Sequence, residues 1–170
     1  MTKENDKKNR GFTIIDDFME ATYFKQLEEI VLGDNFPWFF QKEVNKFDKE
    51  NSYFTHNLYD KFAPCSNFWG HFVNLALRLE PKAFIRVKMN CYPRTSKIVK
   101  HASHVDTDYD HKGAIFYWNT NNGKTILEDG TEIDSVANRM LLFNAAEPHQ
   151  STSCTDAPAR YNMNFNFFKW

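Results

Sequence analysis

Two textures of apolar and polar positions follow one another along the chain. In the first half, apolar residues recur at three- and four-residue spacing: Phe18, Ala21, Phe24, Leu27 and Val31, then Phe68, Phe72, Leu75, Ala76 and Leu79. An α-helix turns once in about 3.6 residues, so each set falls on one helical face. The pattern predicts a first helix capped by Asp16 or Asp17, running to about Leu32 and ended by Gly33-Asp34. It predicts a second helix capped by Ser66, running from Asn67 to about Glu80 and followed by Pro81. Around them lie a short strand at Gly11–Ile15, an aromatic edge segment at Asn35–Phe40, a polar loop at Lys42–Asn51 and a strand at Tyr53–Tyr59.

From Ala83 the period shortens to that of strands. Strand-like runs are Ala83–Tyr92, His101–Asp106, Ala114–Trp118, Lys124–Glu128, Ile133–Val136, Arg139–Phe143, Pro148–Ser153 and Arg160–Phe168. Asn122-Gly123 and Asp129-Gly130 supply hairpin turns between them. Many short strands in such a length predict a sandwich or jelly roll, with the two helices on the outer face of a sheet. The last run is the most regular. Arg160, Asn162, Asn164 and Asn166 alternate with Tyr161, Met163, Phe165 and Phe167. Successive strand side chains face opposite ways, so the polar set is expected to line an open interior and the aromatic set to pack beneath the helices.

Composition adds limits. Seventeen Phe and 16% aromatic residues fit a dense β-rich core. A net charge of -1 gives no long-range pull toward nucleic acid or anionic membrane. The basic group Lys7-Lys8-Asn9-Arg10 sits in a polar stretch, residues 1–10, read as a flexible tail ahead of a single domain over 11–170. In that domain residues 11–82 supply helical support and 83–170 the β core. Cys65, Cys91 and Cys154 are odd in number and far apart, which argues against a disulfide framework and for a reducing cytoplasm. No apolar run is long enough for a membrane span, and no secretory leader is visible.

The candidate chemistry begins at His101-Ala102-Ser103-His104-Val105-Asp106. If this stretch is extended, His104 and Asp106 share a face. Two His and one carboxylate with open positions suit a non-haem Fe(II) that must also hold O2 and a cosubstrate. His149 is the third candidate ligand, and Arg160, eleven positions on, can grip a carboxylate in a bidentate fork. His101 falls on the opposite face and is read as a loop or solvent residue. Asp108 and His111 are read as rim or loop residues, His56 and His71 as structural ones, and Arg86 and Arg139 as weaker anchor candidates. Trp38, Phe39 and Tyr53 are read as core before substrate groove.

His104-x-Asp106, His149 and Arg160, in that order, resemble the signature of the Fe(II)- and 2-oxoglutarate-dependent oxygenases. Several segments resemble the prolyl-hydroxylase-like branch, including small phage-type members. They are Tyr117-Trp118-Asn119 with Gly123-Lys124-Thr125, Asn90-Cys91-Tyr92, and Arg139–Phe143 ahead of His149. The resemblance spans roughly Phe84 to Phe168. It implies a mostly β, α+β fold: a double-stranded β-helix with two N-terminal helices on its major sheet. It implies Fe(II) on His104, Asp106 and His149, and the distal carboxylate of 2-oxoglutarate on Arg160. Tyr92 is then a donor to that end of the cosubstrate and Asn90 a contact near the other. Asn162 stands where the family often has Ser or Thr, and still offers an amide donor. Some prolyl hydroxylases anchor the carboxylate with Lys, so Arg160 sets this chain apart from those members. The implied reaction is hydroxylation of a peptidyl, prolyl-like or small-molecule C–H bond, with O2 consumed, succinate and CO2 released and ascorbate as an allowed reductant. The rivals are a cupin-like jelly roll that binds metal or ligand without turnover, and a nucleic-acid demethylase of the same fold, against which the lack of a basic stripe counts.

Overall fold

A computed structural model describes residues 11–169; the tail assigned to residues 1–10 lies outside them. The elements, in order, are β1 (Thr13–Ile15), α1 (Ala21–Leu32), β2 (Phe39–Gln41), β3 (Tyr53–Asp60), β4 (Ala63–Pro64), α2 (Trp69–Leu77), β5 (Ala83–Pro93), β6 (Lys112–Tyr117), β7 (Asn121–Leu127), β8 (Glu132–Ser135), β9 (Arg139–Asn144), β10 (His149–Ser151) and β11 (Ala159–Phe168). A major antiparallel sheet has the order β1-β9-β6-β11-β5-β3-β2, with β4 paired to β3, and a minor sheet has the order β10-β7-β8. β11 is central, pairing with β5 on one side and β6 on the other. The strands from residues 11–82 extend this sheet on both sides, so that region supplies sheet as well as helices.

Strand alternation builds two cores. Met163, Phe165 and Phe167 of β11, Phe116 of β6 and Met89 of β5 face Leu27 and Val31 of α1 and Phe72, Leu75 and Ala76 of α2. Trp118, fully buried, stacks on Phe24 and meets Phe72 edge-on. On the other face, Ile115, Tyr117, Leu141 and Phe143 meet Ile133 of the minor sheet. Between the sheets, toward one end, the polar set of β11 opens on a pocket.

Both helices are shorter than their apolar periodicity predicts. α1 starts at Ala21 with Glu20 as its cap, the carboxylate accepting from the Thr22 and Tyr23 amides at 2.9 and 3.0 Å. Asp16 instead receives the Arg139 guanidinium at 2.6 and 3.0 Å, and Asp17 takes a left-handed φ of 50°. Phe18 and Met19 form a strap tied to Asn138: the Phe18 amide reaches its carbonyl, and its side chain bonds the Met19 amide and carbonyl. α2 covers Trp69–Leu77, and the flanking residues form tight i→i−3 turns. Ser66 does supply an acceptor there, for the Phe68 amide at 3.0 Å.

Two strand expectations need correction. His101–Asp106 is not a regular strand; it is an irregular segment that touches the sheets through isolated bridges Lys100–Thr152 and His104–His149. Asn122-Gly123 is not a hairpin turn but lies inside β7, where the register slips between Asn121 and Lys124. Asp129-Gly130 does turn the chain between β7 and β8, with Gly130 at φ 80°.

Candidate active site

The pocket is lined by residues of both sheets and of the irregular segments, among them His104, Asp106, His149, Arg160, Tyr92, Lys88 and Asn162. His104 and His149 exchange both backbone hydrogen bonds, at 3.0 and 2.9 Å, so their rings sit side by side with centroids 4.8 Å apart. That bridge, rather than strand parity, brings the pair together. The Asp106 amide bonds the Ala145 carbonyl at 3.3 Å, turning the carboxylate back toward both rings. His104 Nε2 and His149 Nε2 each lie 3.8 Å from an Asp106 oxygen. One ligand atom from each of the three falls within 4.8 Å of the others.

These residues fit a metal. His149 Nδ1 faces the Glu147 carbonyl at 3.1 Å, which makes it the protonated nitrogen, while the buried Nε2 has no protein partner. A buried imidazole nitrogen with a free lone pair, aimed at a carboxylate and a second imidazole, is suited to coordination. Burial, with His149 next to it, pushes the His104 ring down to about 4, so it is neutral near pH 7 and its lone pair is available. Burial works to raise the Asp106 carboxyl, but the Arg86 guanidinium, His149 and the Asn166 amide together hold it well below the usual carboxylate range. Arg86 donates to Oδ1 at 2.9 Å and Asn166 to Oδ2 at 2.8 Å. Each oxygen keeps a further lone pair for a cation.

Arg160 lies across the pocket, fully buried. Its Nε donates to the Ser135 hydroxyl at 2.8 Å and its Nη2 to the Thr125 hydroxyl at 2.9 Å, and its Nη1 is buried with no partner. No carboxylate lies within ion-pair distance among the described residues. Tyr117 fixes Thr125 by donating to its hydroxyl at 2.8 Å. Gly123 makes room for the guanidinium stem: a Cβ there would lie 2.6 Å from Arg160 Cδ. Tyr92, across the ladder from Arg160, is stacked between Tyr53 and His101, both at 5.1 Å.

The other residues singled out by sequence fall as follows. Asn162 lines the pocket and accepts from the Asn90 amide at 2.9 Å. Asn90 is fully buried behind it, with an unpartnered Oδ1, and does not line the pocket. His101 is buried, not a solvent residue, and meets the Ser151 hydroxyl at 2.8 Å. His111 lies in the loop before β6, as read, and is buried there, its Nε2 3.1 Å from the Asn166 amide. Asp108 is exposed. His56 bridges the Pro37 carbonyl and Ser66 hydroxyl. Tyr53 lines the pocket, whereas Trp38 packs on Phe36 and Tyr161, and Phe39 is exposed.

Sequence reasoning missed Lys88 and ranked Arg86 only as a spare anchor. Their signal was the parity of β5, which places Arg86 and Lys88 on the same face as Asn90 and Tyr92. It also missed the loop that backs His104. The Asn45 amide donates to the Ala102 carbonyl and lies 3.3 Å from His104 Nδ1, and Asp48 accepts from the Ala102 amide at 3.0 Å.

No family model and no curated protein matches the chain. Solved structures do. A prolyl-4-hydroxylase from Pseudomonas putida matches at 17% identity and a TM-score of 0.62, covering 95% of this chain and 94% of that one. An oxidoreductase of the 2OG-Fe(II) oxygenase family from Burkholderia pseudomallei matches at 10% identity and 0.69, covering 93% and 85%. A prolyl hydroxylase from Trichoplax adhaerens, in complex with a hypoxia inducible factor oxygen degradation domain peptide fragment, matches at 13% identity and 0.70, covering 94% and 84%. At such identities the likeness concerns the fold: this chain has the mostly β architecture, with two helices and antiparallel sheets, of the 2-oxoglutarate oxygenases and prolyl hydroxylases.

Proposed function

We propose that the protein is a dioxygenase dependent on Fe(II) and 2-oxoglutarate, built as a single domain from residue 11, that hydroxylates a peptidyl, prolyl-like or small-molecule C–H bond. The observation that carries this reading is Arg160. A fully buried guanidinium with an unpartnered nitrogen, and no carboxylate within ion-pair distance among the described residues, is costly unless an anion completes it. It shares its pocket with a two-His, one-carboxylate group. A metal-binding cupin without turnover has no use for such an anchor, which favours the oxygenase reading over that rival.

In this reading His104, Asp106 and His149 hold the iron. When bound, Fe(II) with 2-oxoglutarate and O2 supplies the oxidative decarboxylation, to succinate and CO2, that is coupled to hydroxylation. The chain's own groups bind, orient and exclude water. Arg160 takes the distal carboxylate of 2-oxoglutarate, with Thr125 and Ser135 fixing the plane of the guanidinium so that little freedom is lost on binding. Tyr92, held by stacking on both faces, presents its hydroxyl to the same end. Asn162 offers its amide beside them, oriented by Asn90. Arg86 and Asn166 keep Asp106 ionised and aimed. Ile115 and Val44 give the pocket apolar walls. A peptide substrate has a precedent in the Trichoplax relative's complex. No described helix is long and apolar enough to cross a membrane, and the odd, widely spaced cysteines favour a reducing cytoplasm as the proposed location.

The test is succinate release from 2-oxoglutarate in the presence of Fe(II), O2 and ascorbate. Wild type turns over; His104→Ala and Asp106→Ala do not, while circular dichroism shows both folded. Persistent turnover in both variants would remove the metal assignment.

A further inference from the structure

We propose that Lys88 and Tyr53 form an anion-binding position for the prime substrate, so that the molecule hydroxylated at this site carries a carboxylate. The proposal deepens the oxygenase reading and rests on it. Lys88 lies on the inward face of β5, opposite Asn164 of β11. Along this ladder the Tyr92–Arg160 rung lies on one side of it and the Arg86–Asn166 rung, which grips Asp106, on the other. Its side chain reaches the pocket. There the ammonium makes one hydrogen bond, to the Tyr53 hydroxyl at 3.3 Å, and has no carboxylate within ion-pair distance among the described residues. The facing Asn164 has a buried Oδ1 without a partner. That oxygen is an acceptor and adds nothing to an anion position, whereas the ammonium has hydrogen-bond donors to spare on the pocket wall.

Charge balance says what should meet them. Asp106 is already offset by Arg86. The two charges of Fe(II) and the two of 2-oxoglutarate cancel, so the loaded site keeps two positive charges, Arg160 and Lys88, of which Arg160 is in contact with the cosubstrate's distal carboxylate. Lys88 is then the positive charge that meets no anion, half-buried in the pocket wall, where interactions between charges are stronger than in bulk water. Neutral substrates leave it unmatched; a carboxylate matches it and can also accept from Tyr53. The same chemistry can come from the α-carboxylate of a free amino acid or from the side chain of an acidic peptide.

The experiment uses the full chain loaded with Fe(II) and saturated with 2-oxoglutarate. Succinate release is measured with free L-proline and L-aspartate, with the capped peptide acetyl-Ala-Pro-Glu-Ala-amide, and with prolinamide, asparaginamide and the Gln peptide as their neutral partners, which carry no carboxylate. At least one carboxylate probe should stimulate turnover about tenfold or more above its neutral partner, the usual scale of a charge-assisted hydrogen bond. Whether the amino acids or the peptide respond identifies the source of the carboxylate. In Lys88→Met the preference should vanish and in Lys88→Arg part of it should return, while the dissociation constant of 2-oxoglutarate stays near the wild-type value. Equal stimulation by neutral partners, or no response to any carboxylate probe, would overturn the proposal. So would a Lys88→Met variant that binds 2-oxoglutarate poorly, since Lys88 would then serve the cosubstrate. Failure of the loaded wild type to bind 2-oxoglutarate at all is a separate result, and would instead remove the reading on which the proposal stands.

Discussion

At the scale of single residues, the pocket is organised by two buried charges with opposite arrangements. Asp106 is saturated from behind by Arg86 and Asn166 and keeps its open side toward the histidines. Arg160, which lines the pocket, is held by two hydroxyls and keeps one nitrogen without a partner. Gly123 is the residue whose size permits the second arrangement. Gly123→Ala pushes a methyl into the Arg160 stem and the Ser153 carbonyl, 2.6 and 2.8 Å from the new Cβ. We expect the variant to fold and to need roughly tenfold more 2-oxoglutarate for half-maximal succinate release, about 1.4 kcal/mol of lost binding. An unchanged requirement would show that the stem has slack. Residue type, order and spacing marked the candidate site: His104, Asp106, His149 and Arg160 are rare enough in combination to stand out. Thr125 and Ser135 were not legible as site residues and Arg86 was legible only as a spare anchor, because their roles depend on which strands cross the pocket.

At the scale of elements, the irregular segment around His104 is the instructive case. Strand parity put His104 and Asp106 on one face through a premise that does not hold, since isolated bridges and loop hydrogen bonds, not a regular strand, fix the segment. β11 behaves as its alternation implies, with apolar residues beneath the helices and polar residues inward. Helix starts were less legible. The periodicity of Phe18 continues back from α1, but Asp16 is drawn to Arg139 and the strap to Asn138, long-range contacts that no local pattern reports. Asn138 has a left-handed φ of 61° and ties the strap with both ends of its side chain. Asn138→Ala removes two buried hydrogen bonds and places a less tolerant residue in that conformation. It should cost about 2–4 kcal/mol by urea unfolding, with an unchanged urea dependence. A loss below about 0.5 kcal/mol, the range of ordinary surface changes, would mean the strap does not hold α1 to the sheet.

At the scale of the whole molecule, stability should follow the protonation of the buried imidazoles. Burial lowers His101 to about 4 and His104 to about 4, both from an ordinary 6.5. Between these values the unfolded chain binds more protons than the folded one. Stability is therefore fully present above about 6.5 and is lost as pH falls toward 4, by on the order of 1 kcal/mol per pH unit for each group. Urea unfolding of the metal-free protein across this window should show that slope, and His101→Gln should flatten it. A flat profile in the wild type would mean that these rings are not buried as neutral groups. The fold itself was legible at this scale, because short strands, turn signals and two amphipathic helices leave few ways to cover a sheet. How the sheet edges are completed was not, since β1 and β2 are too short to declare their partners.

The central claim joins the metal group to Arg160 through one cosubstrate, and anaerobic titration calorimetry tests it most directly. 2-Oxoglutarate is titrated into the wild-type protein and the Arg160→Ala variant, each with and without Fe(II). The account predicts one equivalent bound by the metal-loaded wild type, much weaker binding without metal, and an affinity lowered by about 10- to 100-fold in metal-loaded Arg160→Ala, as expected for a lost charge-assisted pair. No binding to the loaded wild type, or equal binding by the variant, would contradict it.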